Sequence, residues 1–370
     1  MLPLAAGIWP EEALAVVRLG ALEAASSGTT TLTDNHYAPA DVETTLGVAQ
    51  ALANTGLRGF VARGMFGPFT NVARDNGLQD TLFKHSVQEE LSSMRACLDN
   101  WQHERVHIWP SPINIIYNDL DLVTGSIELA REYGVKWQTH CSEAAIDPEV
   151  FQGAYGSRPF TWLHRNNWLD ENATFAHAIW LDDEEVQLAG AAKCGIAHNP
   201  MSNQYLASGT IRLHDLQQAG ARLGLGADGA AGHLMDMFQI MRQAVYVQRQ
   251  DSLDPRAGNA HQAFWMATRG GAEMLGIEAG QLAEGKLADM ALVQLNQTHL
   301  TPCYDVISNL VYCASGRDVR TTIVDGRVIY EQGGSTSVST EDILTDARQH
   351  CQALVRRLNL QPPSPALHPA

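Results

Sequence analysis

The chain has 370 residues, with 25 Lys and Arg against 41 Asp and Glu, a formal charge of -16. Hydrophobic residues make up 45% and charged residues 18%, which allows a large core and excludes global disorder. So negative a surface, with no local basic patch, also argues against a nucleic-acid partner.

Residues 1–9 carry no basic leader and run straight into Pro10-Glu11-Glu12, so no signal peptide is read. Residues 10–26 predict a helix: Pro near the first turn, two acids beside it, apolar residues at helical spacing, and Gly28 as terminator. Thr29-Thr30-Thr31-Leu32-Thr33, closed by Asp34-Asn35-His36, predicts a buried strand that delivers side chains to a rim. Further strands are expected at 57–65, 106–110, 136–140, 173–179, 195–198 and 222–228. Amphipathic stretches at 121–133, 183–193 and 211–219 lie between them. Alternation at this spacing implies right-handed parallel crossovers, an α/β barrel. The count is seven strands where a closed barrel needs eight.

Helices are expected at 235–249 and 260–275, after which the composition changes. Residues 280–295 and 321–330 read as short strands, with Asp325-Gly326 as a two-residue hairpin cue. Residues 340–358 read as a helix and 361–365 as a loose end. The expected organisation is a barrel over 1–279, a small C-terminal β appendage over 280–335, and a helix and tail over 336–370. Six scattered cysteines fit a reduced, cytoplasmic protein, and no apolar run is long enough to span a membrane.

The candidate strands close on His36, His140, His177, His198 and Asp228. Each has an ordinary alternative: a core histidine bonded to backbone, a turn-capping Asp, a polar loop. Five together at strand ends are not what packing alone produces. Imidazole and carboxylate suit a borderline divalent ion, which ionises water near neutral pH, and a nearby Glu, such as Glu143, carries its proton.

The sequence resembles the amidohydrolase superfamily, in the branch of cytosine, guanine and 8-oxoguanine deaminases, S-adenosylhomocysteine deaminases and triazine chlorohydrolases. The resemblance rests on Gly28-Thr29-Thr30-Thr31, His140-Cys141-Ser142-Glu143, His177, His198-Asn199-Pro200-Met201-Ser202-Asn203 and Gly226-Ala227-Asp228-Gly229-Ala230. Leu234-Met235-Asp236-Met237, Ala267-Thr268, Gly285-Lys286-Leu287-Ala288-Asp289 and Val324-Asp325-Gly326-Arg327-Val328 extend it to the C-terminal part. It implies a (β/α)8 TIM-type barrel and one divalent metal, zinc first and iron second. His140, His177 and Asp228 would be metal ligands. Glu143, His177 and Asp228 would be catalytic, with Glu143 the proton shuttle. His198, Ser202 and Asn203 match the loop that shapes the substrate site.

The sequence departs from this pattern in having no His-x-His pair, which the family carries on its first barrel strand. The expectation is a barrel lacking that strand and two metal ligands, an incomplete frame or fragment; stoichiometric metal bound by the chain as given would mean that another residue, such as His36 or His233, substitutes for a missing ligand. A second departure is Trp109-Pro110-Ser111-Pro112-Ile113-Asn114-Ile115, where deaminases of adenosine derivatives carry a histidine. This favours a free heterocycle (pyrimidine, purine base or triazine) over a nucleoside, with Arg63 either facing the ring or in a surface ion pair.

Three functions follow from these features. The first is hydrolytic deamination of a small N-heterocycle by metal-activated water. The second is chlorohydrolase or alkylamine hydrolase chemistry on a triazine-like ring. The third is an inactive fragment or non-enzymatic barrel. A missing strand leaves two open edges, which invite pairing with another chain. The purified chain should therefore be poorly soluble or oligomeric by size-exclusion with light scattering, and a monodisperse, cooperatively melting monomer would contradict this.

Overall fold

The computed structural model describes residues 2–232 and 234–360, so His233 and the loose end expected at 361–365 lie outside the described residues. Seven parallel strands run in chain order: β1 (Thr31–His36), β2 (Arg58–Met65), β3 (Val106–Pro112), β4 (Trp137–Cys141), β5 (Ala173–His177), β6 (Gly195–His198) and β7 (Arg222–Leu225). β1 to β3 form one sheet and β4 to β7 another, each strand parallel to its sequence neighbour. A parallel bridge between Asn114 and His140 joins the two into one wall. This is the α/β barrel that the alternation implied.

Two strands stop short of their expected ends. β5 ends at His177 because His177 and Ala178 take φ of 71° and 47°. β7 ends at Leu225, which pairs with His198, the last residue of its neighbour β6, and Asp228 beyond it takes a φ of 48°. Left-handed backbone cannot continue a pleat.

Helices Val42–Asn54, Val87–Asn100, Leu120–Tyr133, Asp183–Ala192 and Leu213–Ala219 fill the crossovers. Several start on a capping side chain. Asp41 accepts the Thr44 N–H at 2.9 Å, and Asp182 accepts that of Glu185 at 2.9 Å. Packing fixes which face of each strand is which. Val61, Met65, Val106 and Ile108 lie in one core cluster with residues of the helices, and Trp137, Phe175, Ile196 and Leu223 lie in another. The alternate positions of β2 to β4 therefore face the lumen.

After β7 come the helix Met237–Ser252 and a run through Ala260–Trp265, a π-helical turn at Met266–Gly270, and Gly271–Leu275. That run lies tight on β7: a Cβ on Gly270 would sit 2.6 Å from the Leu223 carbonyl oxygen. Among the described residues no strand pairs with the outer edge of β7 or of β1. β1 is accordingly only half-buried along most of its length, whereas β2 is buried throughout.

β8 (Met290–Val293), β9 (Val319–Val324), β10 (Arg327–Glu331) and β11 (Gly334–Ser335) form an antiparallel sheet in the order β11-β10-β9-β8. The β9–β10 turn is Asp325-Gly326 at φ 55° and 75°, the left-handed pair a tight hairpin requires. Arg58 of β2 holds the sheet with two bonds to Asp289, at 3.0 and 3.2 Å. The last helix, Thr340–Arg357, packs on Pro10–Ser26, where Arg357 bonds both Glu12 carboxylate oxygens. All six cysteines are unpaired. Among the described residues no helix is long and apolar enough to cross a membrane.

His36 ends β1 in register with Arg63, on the face turned toward the helices, and its Nε2–H donates to the Pro39 carbonyl at 2.7 Å. Burial pushes its imidazole down to about 4 from the ordinary 6.5. A depressed folded value means that the stabilisation is complete above pH 6.5 and is lost as pH falls toward 4. The stability gap between wild type and His36→Gln, read from urea midpoints, should narrow by roughly 3 kcal/mol from pH 7 to pH 4. A gap independent of pH would show that His36 is not held neutral.

Candidate metal centre

The centre is built where strand ends break their own alternation. On β4, Trp137 and Cys141 lie in the outer core, so Gln138 and His140 face the lumen. His140 Nδ1 lies 2.7 Å from the Ile113 carbonyl oxygen. A carbonyl only accepts, so Nδ1 carries the proton and Nε2 keeps a free lone pair. On β5, regular alternation would set His177 beside Phe175 in the core. Its φ of 71° instead swings the ring inward, where its centroid lies 5.4 Å from that of His140. His177 Nδ1–H donates to Asn203 Oδ1 at 2.9 Å, which leaves its Nε2 unprotonated as well.

Both carboxylates meet that second Nε2. Glu143 Oε2 stands 3.7 Å from it and Asp228 Oδ2 stands 3.8 Å from it. Asp228 Oδ2 accepts the Ser202 hydroxyl at 2.5 Å, and Glu143 Oε1 accepts that of Ser208 at 3.4 Å. Ser142, His177, Ala178 and Asp228 all hold left-handed backbone, with φ between 47° and 71°. Such positions cost about 1–3 kcal/mol each and cluster where a side chain must be aimed.

Burial sets the charge states. It pushes the His140 imidazole down, with the neighbouring His177 adding to the effect. It pushes His177 down as well and Glu143 up. His198 is the extreme case. Its ring is 1% exposed, neither nitrogen has a hydrogen-bond partner, and burial pushes it down to about 3. Asn203 Nδ2 is also buried without a partner.

The structure thus brings together His140, Glu143, His177, Asp228, Ser202 and Asn203, with His198 close enough to His177 for the two rings to disfavour each other's protonation. Arg63 is not among them. It takes the same face of β2 as Val61 and Met65, toward the helices, and pairs with Glu90 at 2.9 Å, both side chains 3% exposed. Its Nε donates to the Ala40 carbonyl. Arg63 is therefore neither a ring contact nor a surface ion pair, but half of a buried one. His36 likewise faces away.

Three residues of the centre were missed in the sequence. Tyr37, one place beyond His36, brings its hydroxyl to 3.5 Å from His140 Nε2. Asp147 accepts the backbone N–H of Glu143 and of Ala144, at 3.0 and 2.9 Å, and so holds the turn that carries Glu143. Ser208 steadies Glu143 through its other carboxylate oxygen. Alternation would have found Tyr37, since the residue after an outward His36 turns inward. Asp147 gave the weaker signal of an acid in a helix's first turn.

The donor chemistry fits a divalent metal in kind: two neutral imidazoles with free Nε2 atoms, and a carboxylate. In number it falls short. Among the described residues no group of three or more His, Cys, Asp and Glu side chains is closed enough to hold an ion.

A parallel barrel whose carboxyl mouth presents neutral imidazoles beside carboxylates is the plan of a metal-assisted hydrolase. The chain belongs to the amidohydrolase family, whose model matches residues 4–329. This is a family of enzymes, and the relatives of this chain that are named deaminases are hydrolases acting on C–N bonds other than peptide bonds. The chain is 36% identical over 330 residues to a 5-methylthioadenosine/S-adenosylhomocysteine deaminase of Thermococcus kodakarensis, covering 87% of this chain and 74% of that protein. Its fold is similar to that of an adenosine deaminase from Xanthomonas campestris with bound zinc, at TM-score 0.86 and 24% identity, covering 96% and 78%. It is also similar to atrazine chlorohydrolase TrzN from Arthrobacter aurescens TC1 complexed with zinc, at TM-score 0.82 and 25% identity, covering 92% and 77%.

Removing Arg63 leaves Glu90 buried without its cation. Arg63→Ala should cost about 3–5 kcal/mol in chemical denaturation. The folded fraction should bind metal as wild type does. Altered metal affinity at unchanged stability would place Arg63 in the centre after all.

Proposed function

We propose that the protein deaminates a small N-heterocycle by hydrolysis, with zinc as the metal and iron the second choice. The observation that carries this is the meeting of His140, His177, Asp228 and Glu143 at one mouth of the barrel. His140, His177 and Asp228 would hold the ion, a borderline cation suited to nitrogen and oxygen donors. The ion supplies Lewis-acid activation of water at neutral pH.

The remaining steps belong to the side chains. Water adds to an amidine-like ring carbon, and Glu143, its carboxyl raised by burial, carries a water proton to the adjacent ring nitrogen. Collapse breaks the exocyclic C–N bond, releases ammonia with a further proton, and leaves a ring carbonyl. Asp228, oriented by Ser202, faces the attacking side, and Asn203 keeps His177 in the required tautomer. The ring would satisfy groups that now lack partners, the two nitrogens of His198 and Asn203 Nδ2. Each such orphan costs about 1–3 kcal/mol, so a ligand that pairs them gains affinity and selectivity together.

The relatives refine the substrate. The deaminase match stands at 36% identity and the chlorohydrolase at 25%, which ranks deamination first. The deaminase is named for adenosine derivatives, so an adenine ring, free or on a ribose, joins the free heterocycles favoured by the Trp109–Ile115 stretch.

Zinc-reconstituted protein should release ammonia from at least one of adenine, adenosine, 5-methylthioadenosine, guanine and cytosine. Glu143→Gln should lower kcat by about 10²–10⁴-fold while zinc content stays unchanged. Chloride release from a chlorotriazine with no ammonia from the panel would transfer the reading to dehalogenation.

A further inference from the structure

The loop of residues 206–210 reaches Glu143 through one side chain, that of Ser208. It leaves the short helix Pro200–Tyr205, and its first two residues, Leu206 and Ala207, are exposed. Ala207 and Gly209 carry it through left-handed backbone, with φ of 53° and 118°. Ser208, between them, is bonded three ways. Its N–H donates to the Asn203 carbonyl at 2.9 Å, and its hydroxyl donates to Glu143 Oε1 at 3.4 Å. Its carbonyl accepts the indole N–H of Trp180 at 2.7 Å, the shortest of the three.

Trp180 stands just beyond β5, and its own backbone is fixed on both sides. Its N–H donates to the carbonyl of Ser142, the residue before Glu143, at 3.0 Å. Its carbonyl accepts from Arg158 Nη2 at 2.6 Å. The indole therefore ties the Ser208 loop to the same turn that carries Glu143. A Cβ on Gly209 would come within 2.8 Å of the indole Cζ2, so glycine is what lets the ring close on the Ser208 carbonyl. The Ser208–Glu143 bond lies at the long end of the hydrogen-bond range, so a small outward drift of the loop breaks it.

We propose that Trp180 is a positioning residue for Glu143, on which it acts through Ser208. The indole N–H latches the loop, and the Ser208 hydroxyl then holds Oε1 while Oε2 stays 3.7 Å from His177 Nε2. This rests on the reading of Glu143 as the proton carrier. The same latch bears on Asn203, whose carbonyl receives the Ser208 N–H and whose side chain holds the His177 tautomer.

The test compares zinc-reconstituted wild type, Trp180→Phe, Ser208→Ala and the double variant. Steady-state kinetics use whichever substrate of the panel above, chlorotriazine included, wild type turns over. Hydrogen–deuterium exchange follows peptides spanning residues 204–211. Trp180 is 41% exposed, so Trp180→Phe should keep the fold, the melting temperature and the zinc content. It removes the N–H and should lower kcat by roughly 3–10-fold, the worth of one hydrogen bond, with KM within about 2-fold of wild type. Ser208→Ala should do the same, and the double variant should be no worse than either single one, because both cut one line of contacts. Exchange at 206–210 should quicken in Trp180→Phe and stay slow in Ser208→Ala, whose carbonyl still takes the indole. Wild-type kcat or wild-type exchange in Trp180→Phe, or losses that multiply in the double variant, overturns the assignment and leaves the hydrolase reading standing. A raised KM at unchanged kcat does so too, by making Trp180 a substrate contact. Wild type that turns over no substrate overturns both.

Discussion

Two hydrogen bonds decide what this centre can do. His140 Nδ1–H is fixed by the Ile113 carbonyl at 2.7 Å, and His177 Nδ1–H by Asn203 Oδ1 at 2.9 Å. Each holds a proton on the nitrogen away from the centre, so both Nε2 atoms enter it as lone pairs. Burial works in the same direction by disfavouring the imidazolium forms. A site that bound protons instead would repel any cation offered to it. The tautomer locks therefore come before the metal in the logic of the fold, and the carboxylates of Asp228 and Glu143 are useful only once they are in place.

Holding those locks requires backbone that the strands alone do not provide. His177 would lie in the outer core with Phe175 if β5 simply continued. The left-handed turn at His177 and Ala178 reverses that at a cost of about 1–3 kcal/mol per residue. The surrounding bonds make the cost sustainable. The Ala178 N–H bonds to the Cys141 carbonyl, and those of Ile179 and Trp180 bond to Ser142, so the strained ends of β4 and β5 brace each other. Asp147 then ties down the turn with Glu143, and Tyr117 steadies Asp147 from 3.2 Å. Precision at the mouth comes from this interlocking of loops, more than from any one strand.

The same features determine what could be read from the sequence. Strand positions and the meeting of His140, His177 and Asp228 at one mouth were legible because β-branched and apolar runs ending in polar residues, repeated at regular spacing, are the mark of parallel strands that deliver side chains to one rim. The Asp325-Gly326 hairpin was legible because few dipeptides take two left-handed residues in succession. Facing was harder. Arg63 and His36 looked like rim residues from their place near strand ends, yet both occupy helix-facing positions of β2 and β1. Tyr37 was missed for the converse reason, lying one residue past the expected strand. Position along a strand is carried by local sequence. Which side faces the lumen depends on register with neighbours, and at His177 on a backbone kink that no pattern announces.

The join between the two sheets places fold and function on one residue. β1 to β3 and β4 to β7 meet at the Asn114–His140 bridge. There the His140 N–H bonds to the Ile113 carbonyl at 3.0 Å, and the His140 carbonyl accepts from the Ile115 N–H at 3.2 Å. The Ile113 oxygen that receives this backbone bond is the one that also receives His140 Nδ1–H. The outer edges cannot share the work, since β1 and β7 are not paired to each other among the described residues. Any slip of one sheet against the other would therefore move the tautomer lock with it. The side chain best placed to hold a metal is thus carried by the backbone that closes the seam, and its geometry is as firm as the seam itself.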